Sequence, residues 1–283
     1  GEAGGSWSPC THLANYGTNA MPNLLRLLAF GLQPRSVLEL GGGLGLTSDF
    51  MARFTPGGSH VTVIEPEPML KEVVGLRELP YRPAQLRINL FGEQGERACR
   101  ETLAKQRFDL VMTFEVAEHI DYTFHETLVA TLANATRRFL VFAAARPHQG
   151  GTGHLPESML TKRQWVQRFN AHGLVLMPRL SNLVSQAAYP EALTTIAINA
   201  FVMRAADAHD LDDAEISSRL TRMPVLQRRV YRPLERESDL VWAKPHTVPN
   251  WGLDLADPIE PGGPDWKEVS MAARAQVKPF VAT

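Results

Sequence analysis

The chain has 283 residues, 44% of them hydrophobic and 21% charged, enough for one large globular domain or two small ones with a substantial core, which excludes a disordered chain. Its 29 Lys and Arg against 30 Asp and Glu leave a formal net charge of -1, so no global basic field is available to hold a nucleic-acid backbone or an anionic membrane. The two cysteines, Cys10 and Cys99, form no Cys-x-x-Cys pair, and no apolar run approaches the roughly 20 residues of a membrane-spanning helix.

In chain order, Pro22 to Gly31 reads as a helix with Pro in its first turn and Gly at its end, followed by a strand from Ser36 to Leu40. A helix from Leu46 to Phe54, a strand from His60 to Glu65 and a helix from Pro68 to Leu76 come next. The pattern then gives a third strand over Leu86 to Phe91, a helix over Glu93 to Gln106, a strand over Phe108 to Phe114 and a helix over Tyr122 to Ala135. A strand over Arg138 to Ala144, a helix over Lys162 to His172, and two strands, Leu174 to Pro178 and Thr195 to Arg204, complete the series. The last two are expected to pair as an antiparallel hairpin. This alternation is that of βαβ units around a parallel sheet, an α/β fold. Composition changes near residue 205, so the expected organisation is a leader over residues 1–19, one domain over 20–204 and a Pro- and Trp-containing extension over 205–283.

The most informative run is Val37-Leu38-Glu39-Leu40-Gly41-Gly42-Gly43-Leu44-Gly45, an apolar strand entering a glycine cluster that opens a helix. Bare backbone at a helix start lets a ligand meet main-chain N–H groups. Gly41, Gly43 and Gly45 are spaced G-x-G-x-G, and Leu46 stands where a dinucleotide fingerprint needs glycine, which argues against a pyrophosphate site. Glu65 closes the next strand, where an acid of this fold class accepts hydrogen bonds from ribose hydroxyls. Together these residues resemble the first two motifs of the class I S-adenosylmethionine-dependent methyltransferases over about residues 20 to 204. The resemblance implies a Rossmann-like, mostly parallel seven-stranded sheet with an antiparallel last strand, and S-adenosylmethionine as cofactor. It places Glu39, Gly41, Gly43, Gly45, Glu65 and Glu115 around that cofactor, with Glu65 on the ribose. For the adenine it offers Asn89 or Glu93.

The second feature, Phe108-Asp109-Leu110-Val111 running into Glu115-Val116-Ala117-Glu118-His119, is similar to the F-D-L-V and E-V-x-E-H segment of many small-molecule O-methyltransferases, and its acidic-histidine part to that of small-RNA 2′-O-methyltransferases. In some of those families two acids and the histidine bind a divalent cation such as Mg2+ at the substrate hydroxyl, which maps onto Glu115, Glu118 and His119, with His154 as a further ligand or the base. A neutral alcohol is a poor nucleophile, and a general base or a metal that acidifies it would help. The alternative is that the two acids cap the next helix while His119 merely packs.

The loop Arg146 to Glu157, with the Trp165, Phe169 and Gly173 that follow, is similar to methyltransferases encoded with glycan-building enzymes and points to a sugar hydroxyl or another small-molecule acceptor. Trp165 and Phe169, four apart on one helix, are expected in the core. Cys10, His12 and Tyr16 fit an N-terminal cap over the cofactor. The arginines from Arg219 to Arg236 read as a solvated helix face, and Trp242, Trp251 and Trp266 either as anchors for a protein partner or a second subunit or as residues packed back on the domain. The chain opens at Gly1 rather than Met, so a processed or trimmed N-terminus is expected and any targeting peptide would fall outside this sequence. The reading is a methyltransferase acting on a hydroxyl. The alternatives are a methyltransferase-like assembly subunit docking through 205–283, or an RNA 2′-O-methyltransferase.

Overall fold

The computed structural model describes residues 22–65, 84–86, 103, 106–151, 153–188 and 194–222. Its strands are β1 Ser36–Leu40, β2 His60–Ile64, β3 Ala84–Leu86, β4 Phe108–Phe114, β5 Thr136–Ala143, β6 Leu174–Leu176 and β7 Phe201–Ala205. They form one seven-stranded sheet in the spatial order β3-β2-β1-β4-β5-β7-β6. β1 to β5 are parallel, and β7 runs antiparallel to both of its neighbours, β5 and β6. This is the Rossmann-like α/β sheet with a reversed last strand that the sequence implied. Among the described residues no helix is long and apolar enough to cross a membrane.

The helices are α1 Pro22–Arg26, which widens into a π-helical segment over Leu27–Leu32, then α2 Leu46–Phe54, α3 His125–Ala135, α4 Lys162–Ala171, α5 Pro178–Ala188, α6 Thr194–Asn199 and α7 Asp213–Thr221. They form two packed groups. α1, α2, α5 and α7 touch one another in series, whereas α3 and α4 pack together against β4, β5 and β6. β4, in the middle, is buried along its whole length, as expected of a parallel strand covered on both faces.

Three stretches differ from the pattern-based expectation. Thr194–Asn199 is helical and only Phe201–Ala205 is strand, although the β-branched residues Thr194, Thr195, Ile196 and Ile198 favour an extended chain. Here burial decides: Ile196 and Ala197 are fully enclosed, and the Ala200 N–H closes the turn onto the Ile196 carbonyl at 2.8 Å. The last two strands do pair antiparallel, with Leu174 opposite Ala205, but two helices separate them in sequence. The first of these, α5, was not anticipated, although Leu180, Val184, Ala187 and Ala188 lie on its buried face at helical spacing. β3 spans Ala84–Leu86, two residues ahead of the expected start. The rest of the expected third strand, the helix Pro68–Leu76 and nearly all of Glu93–Gln106 lie outside the described residues. α7 lies beyond the composition change at residue 205 and packs on α5.

The core is anchored by aromatic rings on β5, α4 and β7. The Phe142 centroid lies 4.9 Å from Trp165, 5.1 Å from Phe169 and 5.3 Å from Phe201. Trp165 and Phe169 are thus core residues, as their spacing indicated. Phe142→Ala removes the ring shared by all three contacts and should cost about 3–5 kcal/mol. Denaturant unfolding of the variant checks this; a loss below about 1 kcal/mol would show that the cluster does not hold β5 to α4.

Candidate active site

Because β1, β2, β4 and β5 are parallel, the segments that follow them collect along one edge of the sheet. The reversed β7 brings its preceding residues, Asn199 and Ala200, to that same edge. After β1 the chain turns through Gly41 at φ 73° and Gly43 at φ 52°, left-handed conformations that a side chain disfavours. A Cβ at Gly41 would also overlap Val116, which follows β4, so the glycine loop and the acidic-histidine turn lie against each other. The Gly41 N–H donates to the Ile64 carbonyl at 2.8 Å, and the Gly43 N–H donates to Glu65 Oε2 at 2.8 Å. Glu39 is buried below the loop and accepts a hydrogen bond from the Ser48 hydroxyl on α2. Burial pushes its pKa up to about 7, the Ser48 bond works in the opposite direction, and the nearby Glu65 charge adds to the rise.

Glu115 closes β4 at φ 55°, a left-handed conformation that non-glycine residues adopt at a cost of about 1–3 kcal/mol. Its N–H donates to the Ala143 carbonyl at 2.8 Å, and its carboxylate accepts from Gln149 Nε2 at 3.0 Å and Asn199 Nδ2 at 3.3 Å. Burial raises its pKa to about 6 against the pull of those two amides and of Arg146. Gln149 is the hub of this network. Its Oε1 accepts from Asn199 Nδ2 at 2.9 Å, and its main-chain carbonyl accepts from His154 Nδ1 at 3.1 Å. Arg146 Nε donates to Asn199 Oδ1 at 2.7 Å.

Glu118 is completely buried, and among the described residues neither of its carboxylate oxygens has a hydrogen-bond partner. Burial, followed by the charge of Glu115, holds its pKa well above the ordinary carboxylate range. His154 Nε2 is 3.9 Å from Glu118 Oε1, and the rings of His119 and His154 meet edge to face with centroids 5.0 Å apart. The Nδ1 of His119 bonds the Gly153 carbonyl at 2.9 Å, as that of His154 bonds Gln149. A carbonyl only accepts, so in both rings Nδ1 carries a proton, and the neutral ring has its lone pair on Nε2. Burial lowers the His119 pKa, which favours this neutral form. Glu118, His119 and His154 each bring one ligand atom into a group in which all lie within 4.8 Å of one another. Gly151 is required beside them, since a Cβ there would overlap the His154 ring.

The structure thus brings together two sets of expected residues, Glu39, Gly41, Gly43, Gly45 and Glu65 on one side, and Glu118, His119 and His154 on the other. Glu115 stands between them, outside the three-residue cluster and tied to Gln149 and Asn199. Capping does not explain the acids. The turn Ala117–His119 and the helix α3 have no side-chain cap, and Asp121 caps the turn between them through the Thr123 N–H at 2.9 Å. Arg146, Gln149 and Asn199 were missed in the sequence; Asn199 was hidden by its assignment to a strand. Asn89, Glu93, Cys10, His12, Tyr16 and the three tail tryptophans lie outside the described residues.

A model of the methyltransferase domain family matches residues 13–188. The chain belongs to the class I S-adenosylmethionine-dependent methyltransferases. No curated protein matches this methyltransferase by sequence. Among solved structures it is similar to an N-methyltransferase from Bradyrhizobium japonicum in complex with S-adenosyl-L-homocysteine, at 15% identity and a TM-score of 0.46, over 71% of this chain and 92% of that one. It is also similar to the magnesium protoporphyrin IX methyltransferase from Synechocystis with bound S-adenosylmethionine, at 14% identity and a TM-score of 0.44, over 72% and 87% of the two chains. An O-methyltransferase family protein from Burkholderia thailandensis matches at 11% identity and a TM-score of 0.46, over 68% of this chain, and the methyltransferase spans 57% of that protein's length.

Two outcomes follow from these bonds. Gln149→Leu keeps the volume but leaves the buried amide of Asn199 and the Glu115 carboxylate short of partners, at a cost of about 1–3 kcal/mol in unfolding free energy. For Glu39, the native pKa of about 7 against an ordinary 4.5 means that the folded state holds the proton more tightly. Its contribution is therefore lost as pH rises through that window. Glu39→Gln should gain stability relative to wild type between pH 5 and pH 8, read as the difference in melting temperature; a pH-independent difference would place the Glu39 pKa in the ordinary range.

Proposed function

We propose that this methyltransferase transfers the methyl group of S-adenosylmethionine to a hydroxyl oxygen of a small molecule or glycan, with a divalent cation held by Glu118, His119 and His154. The observation that carries the reading is the enclosed Glu118 carboxylate, which makes no hydrogen bond among the described residues and faces two imidazoles whose Nδ1 atoms are already committed to carbonyls. A buried charge in that state is costly unless a cation or a proton compensates it. One carboxylate and two imidazoles make a mixed oxygen and nitrogen donor set of the kind that divalent cations accept.

The cofactor residues fit their assigned ligand. Gly41 to Gly45 leave the backbone bare beside the strand edge, and Glu65, fixed through Oε2 to the Gly43 N–H, is placed to receive ribose hydroxyls. Glu39 acts beneath the loop by fixing the start of α2 through Ser48. S-adenosylmethionine, when bound, supplies the electrophilic methyl carbon on sulfur. A divalent cation, when bound, lowers the pKa of a hydroxyl at its open position. Val116, in contact with the glycine loop, sets the acceptor side of the site directly beside the cofactor side. Without a bound cation, His154 Nε2, 3.9 Å from Glu118 Oε1, is instead the group positioned to take the hydroxyl proton. Transfer would form the oxygen–carbon bond as the carbon–sulfur bond breaks, with S-adenosylhomocysteine as the leaving product. Glu115 holds the turn that carries Glu118 and His119, through its bonds to Gln149 and Asn199.

Calorimetry separates the two halves of this proposal. Glu65→Ala should weaken S-adenosylmethionine binding about tenfold or more, and wild-type affinity in the variant would remove the ribose assignment. Titration with Mn2+ should give one site that is lost in Glu118→Ala and in His154→Ala. Equal Mn2+ binding in all three proteins, or full S-adenosylhomocysteine production with a hydroxylated acceptor under exhaustive chelation, would overturn the cation.

A further inference from the structure

The edge of the sheet opposite the candidate active site carries a second constellation. A cavity of about 560 Å³ opens at the amino ends of β1, β4 and β5 and is lined by Arg35, Asp109, Arg137, Arg138 and Arg219, with Phe30 on its wall. Asp109 is buried and fully used: it accepts from the Arg35 main-chain N–H at 2.9 Å and from Arg137 Nε and Nη2 at 3.0 and 2.8 Å. The other three guanidinium groups have no acidic partner among the described residues, and Arg138 lies over the Phe139 ring at 5.1 Å. Elsewhere the chain pairs its arginines when an acid is near, as in Arg53 with Asp49 at 2.7 Å and Arg107 with Asp207 at 2.6 Å. At this cavity four guanidinium charges against one carboxylate leave three positive charges around one space.

Convergent guanidinium groups repel one another unless an anion sits between them, and their planar forks match the paired oxygens of phosphoryl groups. A single phosphate would neither balance three charges nor fill a cavity of this size, which lies in the range of small-ligand sites. The concave shape and the overall charge of -1 favour a compact ligand over a nucleic-acid strand or a membrane face. The Arg219 that the sequence places at the start of an arginine-rich stretch belongs to this site through α7. Strands of five to eight residues put it roughly 15–25 Å from the glycine loop, beyond the reach of one small acceptor.

We propose that this cavity is a second ligand site, which binds a compact polyphosphate, that is, an anion with two or more linked phosphoryl groups.

The test uses the full chain and inorganic pyrophosphate as probe, with calorimetry at constant ionic strength. One molecule is expected to bind per chain, and orthophosphate more weakly. The variant R35Q/R219Q alters two exposed side chains and should weaken pyrophosphate binding about tenfold or more, since each change removes charge-assisted hydrogen bonds. Adding Arg138→Gln should abolish it, while S-adenosylmethionine affinity stays at the wild-type value. Unchanged pyrophosphate affinity in the triple variant would overturn the proposal, as would a heat signal reproduced by sodium chloride at matched ionic strength. A loss of cofactor binding by the wild type leaves this result intact, because the two sites are measured with separate ligands.

Discussion

The arrangement depends on one constraint: four carboxylates, Glu39, Glu65, Glu115 and Glu118, are gathered at one edge of a buried sheet, where like charges repel through a medium far less polar than water. Each therefore needs a local answer. Glu39 takes the Ser48 hydroxyl, Glu65 the Gly43 N–H, and Glu115 the amides of Gln149 and Asn199. Those donors come from the start of α2, the glycine turn, the loop after β5 and the end of α6, so the local structure and the electrostatics are the same fact. Among the described residues Glu118 alone of the four carboxylates makes no hydrogen bond, the main-chain N–H groups of Glu118 and Ala145 only partly offsetting its burial. Its burial is tolerable only when a positive charge or a proton is present. That is the physical sense in which the edge is prepared for a ligand instead of being closed on itself.

The reversed last strand matters to this edge more than its position beside β5 suggests. Were β7 parallel, the residue before it would emerge at the far side of the sheet. Because Phe201 stands opposite Phe142, Asn199 arrives beside the carboxyl end of β5 and bridges Glu115, Gln149 and Arg146. The start of the loop after β5 is thereby held, and with it the Gln149 carbonyl that accepts from His154 Nδ1; at the far end the Leu155 N–H donates to the Glu118 carbonyl at 2.9 Å, beside the Gly153 carbonyl that bonds His119. Strand order thus reaches the His154 ring through two hydrogen bonds, from Asn199 to Gln149 and from His154 to the Gln149 carbonyl.

The parallel half of the fold was legible because each βαβ unit is local: apolar strands ending in Gly41, Glu65 and Glu115 announce themselves within a few residues. The second half was harder. In Thr194 to Asn199 the residue types favour a strand and the burial pattern favours a helix, and only packing against β5 and α5 resolves the conflict in favour of the helix. That local misreading hid Asn199, and with it the network around Gln149. The acids and histidines of the site were readable as residue types. Their division into a glycine-loop group, a bridging Glu115 and a three-residue cluster was not, because it rests on hydrogen bonds between residues 34 to 84 positions apart.

The near-neutral composition also conceals a polarity. In a doubly wound fold the helices run back against the strands, so helix N-termini, with their partial positive charge, lie at the carboxyl edge and helix C-termini at the amino edge. α2 begins directly after the glycine loop, beside Glu39 and Glu65, and α3 ends where β5 begins, one residue before Arg137 and Arg138. Acids therefore gather where helices start and arginines where they end. A net charge of -1 is the sum of two opposed local fields across one sheet. The sum argues against a polyanionic partner spread over the whole surface. The separation allows two ligands of different charge character, one at each edge.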